Sequence, residues 1–138
     1  MRHKLQETAS PRNLKRGPGG TVDIEFIVQM TQLRYGAKSP DVLVPGTLDA
    51  ITALRDHNYL PDEFADYLSK SYRFLRSVES GLRLMNTTAR HDLPRDEHEL
   101  EKLAYLLEYE SARALLDDCR EYTRENRKRF KRVFSEML

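Results

Sequence analysis

Pro61-Asp62-Glu63-Phe64-Ala65-Asp66-Tyr67-Leu68-Ser69-Lys70-Ser71-Tyr72-Arg73-Phe74-Leu75-Arg76-Ser77-Val78-Glu79-Ser80-Gly81-Leu82-Arg83-Leu84-Met85 carries the longest unbroken helical pattern in the 138-residue chain. Phe64, Leu68, Tyr72, Leu75, Val78, Leu82 and Met85 recur at spacings of three and four, which lines them along one helical face. Pro61 suits the first helical position, and Asp62 and Glu63 suit the positive end of the helix dipole. A helix reaching Met85 would be roughly 35–40 Å long. An apolar stripe of that length needs several partners, so this helix is the expected spine of a bundle. Arg73, Arg76 and Arg83 lie off the stripe; they form a solvated face, or hold a phosphate or a partner's acid.

Moving outward toward the N-terminus, Asn58 can take the left-handed stop conformation. It closes a helix running from an N-cap at Thr47 to about His57, with Leu48, Ile51 and Leu54 inward. Residues 37–46 read as a loop punctuated by Pro40, Pro45 and Gly46. Before it, Val22 to Tyr35 forms a helix with Phe26, Ile27, Met30 and Leu33 on its apolar face, Gln29 and Gln32 wet, and Gly36 as its stop. Asp23 falls on the Phe26–Ile27 side and Glu25 almost opposite. Residues 2–9 are weakly helical and broken by Pro11, and residues 13–16 have the makings of a short edge strand.

Toward the C-terminus, residues 86–95 read as a loop. Asp96 and Glu99 have capping-box spacing and open a helix to about Glu108, with Leu100, Leu103, Leu106 and Leu107 inward. Ser111 caps a last long helix whose buried side is Leu115, Cys119, Tyr122, Asn126, Phe130, Val133 and Met137. Its end is basic, with Arg124, Arg127, Lys128, Arg129, Lys131 and Arg132, as suits the negative end of a helix dipole. The expected fold is all-α, a largely antiparallel bundle of about five helices.

Composition narrows the function classes. The net charge of +1, with 39% hydrophobic and 33% charged residues, argues against a general nucleic-acid binder. No apolar run approaches membrane-spanning length. Cys119 is the single cysteine, so no intramolecular disulfide forms, and a reducing, cytoplasmic compartment is expected. The four histidines, His3, His57, His91 and His98, lack metal-ligand spacing. Met1-Arg2-His3-Lys4-Leu5 does not resemble a natural start, and the chain is expected to be a piece of a larger protein.

The stretch with the densest chemical potential is Lys15-Arg16-Gly17-Pro18-Gly19-Gly20-Thr21-Val22-Asp23-Ile24-Glu25-Phe26. A helix starting straight after two glycines presents free N–H groups and a partial positive charge, where phosphate oxygens bind well. Lys15 and Arg16 add cations, with Arg12 nearby. The plain alternative is a tight turn leading into a helix, with Asp23 and Glu25 compensating the dipole.

The run GPGGTVDIEFIVQ, followed by QLRYG, resembles the signature of the glutamine synthetase adenylyltransferase family, the bifunctional adenylylating and adenylyl-removing enzymes. The likeness continues through Tyr72-Arg73-Phe74-Leu75-Arg76, Leu93-Pro94 and the basic last helix. It implies the helical domain that follows a nucleotidyltransferase domain, in the reversible adenylylation of a glutamine synthetase tyrosine, with ATP and magnesium in the parent enzyme. Residues 1–20 would then be the tail and glycine-rich junction of that upstream domain, and 21–138 the bundle. Asp23 and Glu25 become candidate catalytic acids, Asp23 also a candidate metal ligand and ranked first because it follows the glycines most closely. Lys15, Arg16, Gly19 and Gly20 become candidate nucleotide contacts. Asp at position 23 leans toward the adenylylating half of such enzymes.

Adenylyl transfer needs carboxylates to hold divalent ions. The superfamily supplies them from a Gly-Ser loop and an Asp-x-Asp strand, and this chain has neither. The chain alone is therefore expected to be inactive and to supply one wall of a site. A competing reading is a non-catalytic interaction bundle that docks glutamine synthetase or the PII signal protein. A third is the equivalent domain of a PII uridylyltransferase. Position separates the first two: a solvent-facing Gly19, Gly20 and Asp23 favour the site wall, and packing inside the bundle favours the interaction reading.

Overall fold

The computed structural model describes residues 10–85 and 91–137. These form α1 (Thr21–Gly36), a 3-10 turn (Pro40–Val42), α2 (Thr47–Asp56), α3 (Asp62–Leu84), α4 (Glu97–Leu106) and α5 (Ala112–Met137). The fold is an all-α bundle, largely antiparallel, with five α-helices among the described residues. The weakly helical stretch expected over 2–9 and the start of the loop, 86–90, lie outside them.

α3 is the spine. It packs on α1, α2, α4 and α5, and Leu68, Leu75, Val78 and Leu82 of its stripe are buried. Leu75→Ala is expected to cost about 3 kcal/mol, the middle of the range for truncating a buried leucine. Arg124→Ala, on the exposed side of α5, is expected to stay within about 0.5 kcal/mol. Denaturant midpoints of the two variants check this.

The helix ends follow local chemistry with small shifts. Asn58 takes φ 64°, as its left-handed stop requires. The Asp96 carboxylate accepts from the Glu99 N–H at 3.4 Å, and the Ser111 hydroxyl accepts from the Ala114 N–H at 3.1 Å. Gly46, at φ 85°, rather than Thr47, is the N-cap of α2. Gly36 ends α1 without a left-handed turn; a Cβ there would meet the Leu43 side chain at 2.5 Å. At Gly81 an added Cβ would lie 2.8 Å from Leu103, so that glycine lets α4 close on the spine.

Two expected faces are rotated. On α1 the buried residues are Thr21, Asp23, Ile24, Ile27, Val28, Thr31 and Gly36, while Leu33 is 74% exposed. The true face contains a carboxylate and a threonine, so hydrophobicity alone points to the wrong side. On α4, Leu106 is exposed while Leu100 and Leu103 are buried. The α5 stripe is as expected at Leu115, Cys119, Asn126 and Phe130, all buried. Burial, with the Asp118 charge beside it, pushes the Cys119 thiol up to about 12.

Residues 10–20 fold onto this bundle. The Leu14 N–H donates to the His91 carbonyl at 2.7 Å and the Leu93 N–H to the Arg12 carbonyl at 2.9 Å. The Arg12 guanidinium donates to the Leu93 and Pro94 carbonyls. The strand expected at 13–16 is reduced to one antiparallel bridge, Asn13 to Asp92. The Asn13 side chain instead accepts from the Lys15 and Arg16 N–H groups at 3.1 and 2.8 Å, bending the segment into a turn.

Candidate functional site: a closed glycine corner and a groove beside Tyr72

The glycine corner turns inward. Gly19 has φ 78°, and a Cβ on it would sit 1.8 Å from the Thr123 carbonyl oxygen of α5. A Cβ on Gly20 would lie 2.6 Å from the Leu14 and Lys15 carbonyl oxygens. Both glycines are therefore needed for backbone to meet backbone. The donors at the start of α1 are also engaged. The Thr21 N–H donates to Leu14, Val22 to Lys15 and Asp23 to Gly20, at 3.0, 3.0 and 3.1 Å. The expectation of free N–H groups is overturned here, because the chain's own carbonyls fold back over them.

Asp23 is fully buried. Its Oδ2 accepts from the Gly19 N–H at 2.7 Å and from the Arg127 guanidinium at 3.2 Å. Burial pushes the Arg127 guanidinium below its usual range, but an arginine stays charged in proteins. One residue earlier on α5, the Asn126 amide donates to the Gly19 carbonyl at 2.9 Å. Its oxygen accepts from the Tyr67 and Ser71 hydroxyls of α3, both at 2.8 Å. Asn126 is fully buried, and its amide ties the corner, α5 and the spine together. Burial raises the Tyr67 phenol to about 12, so it remains a donor throughout the physiological range.

Glu25 points the other way, as its position on the helix requires. It is half-buried, and its Oε2 accepts from the Tyr72 hydroxyl at 3.3 Å. Tyr72 and its neighbours Arg73 and Arg76 line an open groove of about 470 Å³ with Gly46, Thr47, Leu48 and Asp49 at the start of α2. Arg73 is exposed, and Arg76 pairs with Glu79 at 3.2 Å. At the rim of the corner, Lys15 is half-buried and Arg16 exposed.

The sequence-derived site residues thus divide. Gly19, Gly20 and Asp23 come together inside, against Asn126 and Arg127; Glu25 meets Tyr72 on another face; Lys15 and Arg16 stay at the edge. Asn126, Arg127, Tyr67, Ser71 and Tyr72 gained no part in the site from sequence reasoning, which placed Tyr72 and Asn126 on buried stripes and Arg127 in the basic helix end. The available signal was a polar Asn126 in an otherwise apolar stripe, since buried amides are kept for hydrogen bonding. These residues do not by themselves fit a divalent ion. The two acids of α1 diverge, Asp23 Oδ2 is engaged, and no three His, Cys, Asp or Glu cluster among the described residues.

Fold and corner together define a helical domain whose glycine-rich entry is locked by its own last helix. The family model described as GlnD PII-uridylyltransferase matches residues 1–138. The bifunctional glutamine synthetase adenylyltransferase/adenylyl-removing enzyme of Agrobacterium fabrum is 34% identical over 124 residues, 90% of this chain and 13% of that protein. The proteins of the same name from Streptomyces coelicolor and Bordetella pertussis are 39% and 40% identical, each over 75% of this chain and 11% of their own length. The chain belongs to the family that the GlnD PII-uridylyltransferase model describes, as a domain of the glutamine synthetase adenylyltransferase type. It spans 11–13% of the length of these three relatives. No described helix is long and apolar enough to cross a membrane.

Proposed function

We propose that this domain serves a cytoplasmic adenylyltransferase that modifies, or restores, a tyrosine of glutamine synthetase in nitrogen regulation, and that it stands beside an upstream nucleotidyltransferase domain. In that setting ATP and magnesium belong to the parent enzyme, whose metal ligands come mainly from the other domain, and the PII signal protein is the regulatory partner. Lys15 and Arg16 at the corner's rim are the cations assigned to nucleotide phosphates across the junction. The observation that carries the reading is the division of the signature's two acids. Asp23 is engaged inside the bundle, whereas Glu25 is half-buried on another face and accepts from Tyr72, which itself lines the open groove. Glu25 is therefore the acid assigned to reach the neighbouring active site, and Asp23 the one that shapes the corner.

The test is turnover of the intact enzyme beside its thermal midpoint. Glu25→Gln is expected to lower turnover at least about tenfold, about 1.4 kcal/mol of transition-state stabilisation, with little change in midpoint. Asp23→Asn is expected to lower the midpoint first. Near-normal turnover in Glu25→Gln would remove the site-wall role.

A second reading is an interaction bundle without a part in nucleotide chemistry, docking glutamine synthetase or PII. The burial of Gly19, Gly20 and Asp23 favours it. Under this reading Glu25→Gln leaves transfer to a small nucleophile unchanged and weakens only binding of the protein substrate or PII.

A further inference from the structure

A further groove lies along α5, beside the glycine corner. Its volume is about 780 Å³, and it is lined by Arg120, Arg124, Arg127, Lys128 and Lys131, together with Pro11, Pro18, Thr123 and Glu121. The spacing of those cations, 120, 124, 127, 128 and 131, places them on one face of the helix. They form a stripe about 16 Å long at 1.5 Å per residue. In a chain of net charge +1 this is a local concentration of charge.

The cations are not committed to the fold in equal measure. Arg127 holds Asp23. Among the described residues, Arg120 and Arg124 pair with Asp117 and Glu121 on their own helix, in exposed bridges that are weak and easily exchanged. Lys128 and Lys131 are exposed and enter no ion pair among the described residues. Beneath the charges, the two prolines and the aliphatic stems of the long side chains give the groove an apolar floor.

We propose that this groove is a docking seat for an acidic, amphipathic helical segment of a partner protein. A straight cationic rim over an apolar floor matches a helix with carboxylates on its edges and aliphatic residues beneath. Glu121, paired with Arg124 within the lining, breaks the uniformity of the positive rim, and together with the apolar lining this favours a patterned amphipathic segment over nucleic acid or an anionic bilayer. Because Arg127 belongs both to this rim and to the Asp23 clamp, a segment seated here lies directly against the glycine corner. Seating it requires no nucleotide chemistry.

The test uses the protein with four probes: a helix-forming peptide with glutamates flanking a leucine stripe, its glutamine twin, tripolyphosphate, and vesicles rich in phosphatidylserine. The glutamate peptide is expected to bind, more weakly as salt rises. The glutamine twin is expected to bind at least about tenfold more weakly. Lys128→Glu combined with Lys131→Glu is expected to cost at least about tenfold in affinity for the glutamate peptide. Lys38→Glu, an exposed charge reversal away from the groove, is expected to leave that affinity unchanged. Circular dichroism melts identify any variant that fails to fold, and Lys131→Gln then replaces the double reversal. Equal binding of the two peptides, no peptide binding, an equal loss in Lys38→Glu, or binding of only tripolyphosphate or vesicles would each overturn the proposal.

Discussion

Gly19→Ala is expected to lose about 5 kcal/mol of stability, a change that rivals the whole stability of an ordinary domain. Two costs combine. The residue sits at φ 78°, where a side chain is strained. The added Cβ would also stand 1.8 Å from the Thr123 carbonyl oxygen, and backbone of a long helix cannot yield as a flexible side chain would. Relief requires the corner to lift from α5, breaking the bonds of Gly19 to Asn126 and Asp23. Thermal and denaturant unfolding of the variant measure the loss. A midpoint within a few degrees of the parent would mean that the corner is not locked against α5.

Arg127→Met is expected to cost about 3–5 kcal/mol, the scale for removing one partner of a buried ion pair. The asymmetry comes from burial: Asp23 is fully enclosed, while the Arg127 side chain keeps 23% of its exposure. Without the guanidinium, the carboxylate keeps its desolvation penalty and loses the Arg127 charge. Adding Asp23→Asn to Arg127→Met is expected to recover part of the loss, with a coupling energy of at least about 1 kcal/mol. Additive losses in that double-mutant cycle would show that the two groups contribute independently.

These two results bear on function as well as stability. If the corner is a lock, substitutions of Asp23 lower activity by loosening the domain. Those at Glu25 act at constant stability. Comparing turnover with the unfolding midpoint therefore separates the residue that shapes the site from the residue assigned to work in it.

Helix existence and most boundaries were legible from local chemistry alone. The three-and-four spacing from Phe64 to Met85, the Asp96 cap, the left-handed Asn58 and the α5 stripe all act within a turn or two of chain. Short-range sterics and hydrogen bonding suffice to set them. The glycine-rich run followed by Asp-Ile-Glu-Phe was enough to indicate the family, since such a run must be accommodated as a unit. It did not reveal which way the run faces. The opposition of Asp23 and Glu25 followed from helical geometry, but which of them is enclosed did not. That depends on Asn126 and Arg127, more than a hundred residues away in sequence. The α1 face was misread at Leu33 for the same reason: a helix buries the side its neighbours cover, and here the covered side carries a carboxylate whose burial is offset by a distant guanidinium. Local sequence determined the helices, their caps and the need for glycine at the corner. Only the packing of α5 across that corner decided that its N–H groups and its aspartate serve the fold while Glu25 lies outside it against Tyr72, because desolvation and charge pairing are set by residues that meet only in three dimensions.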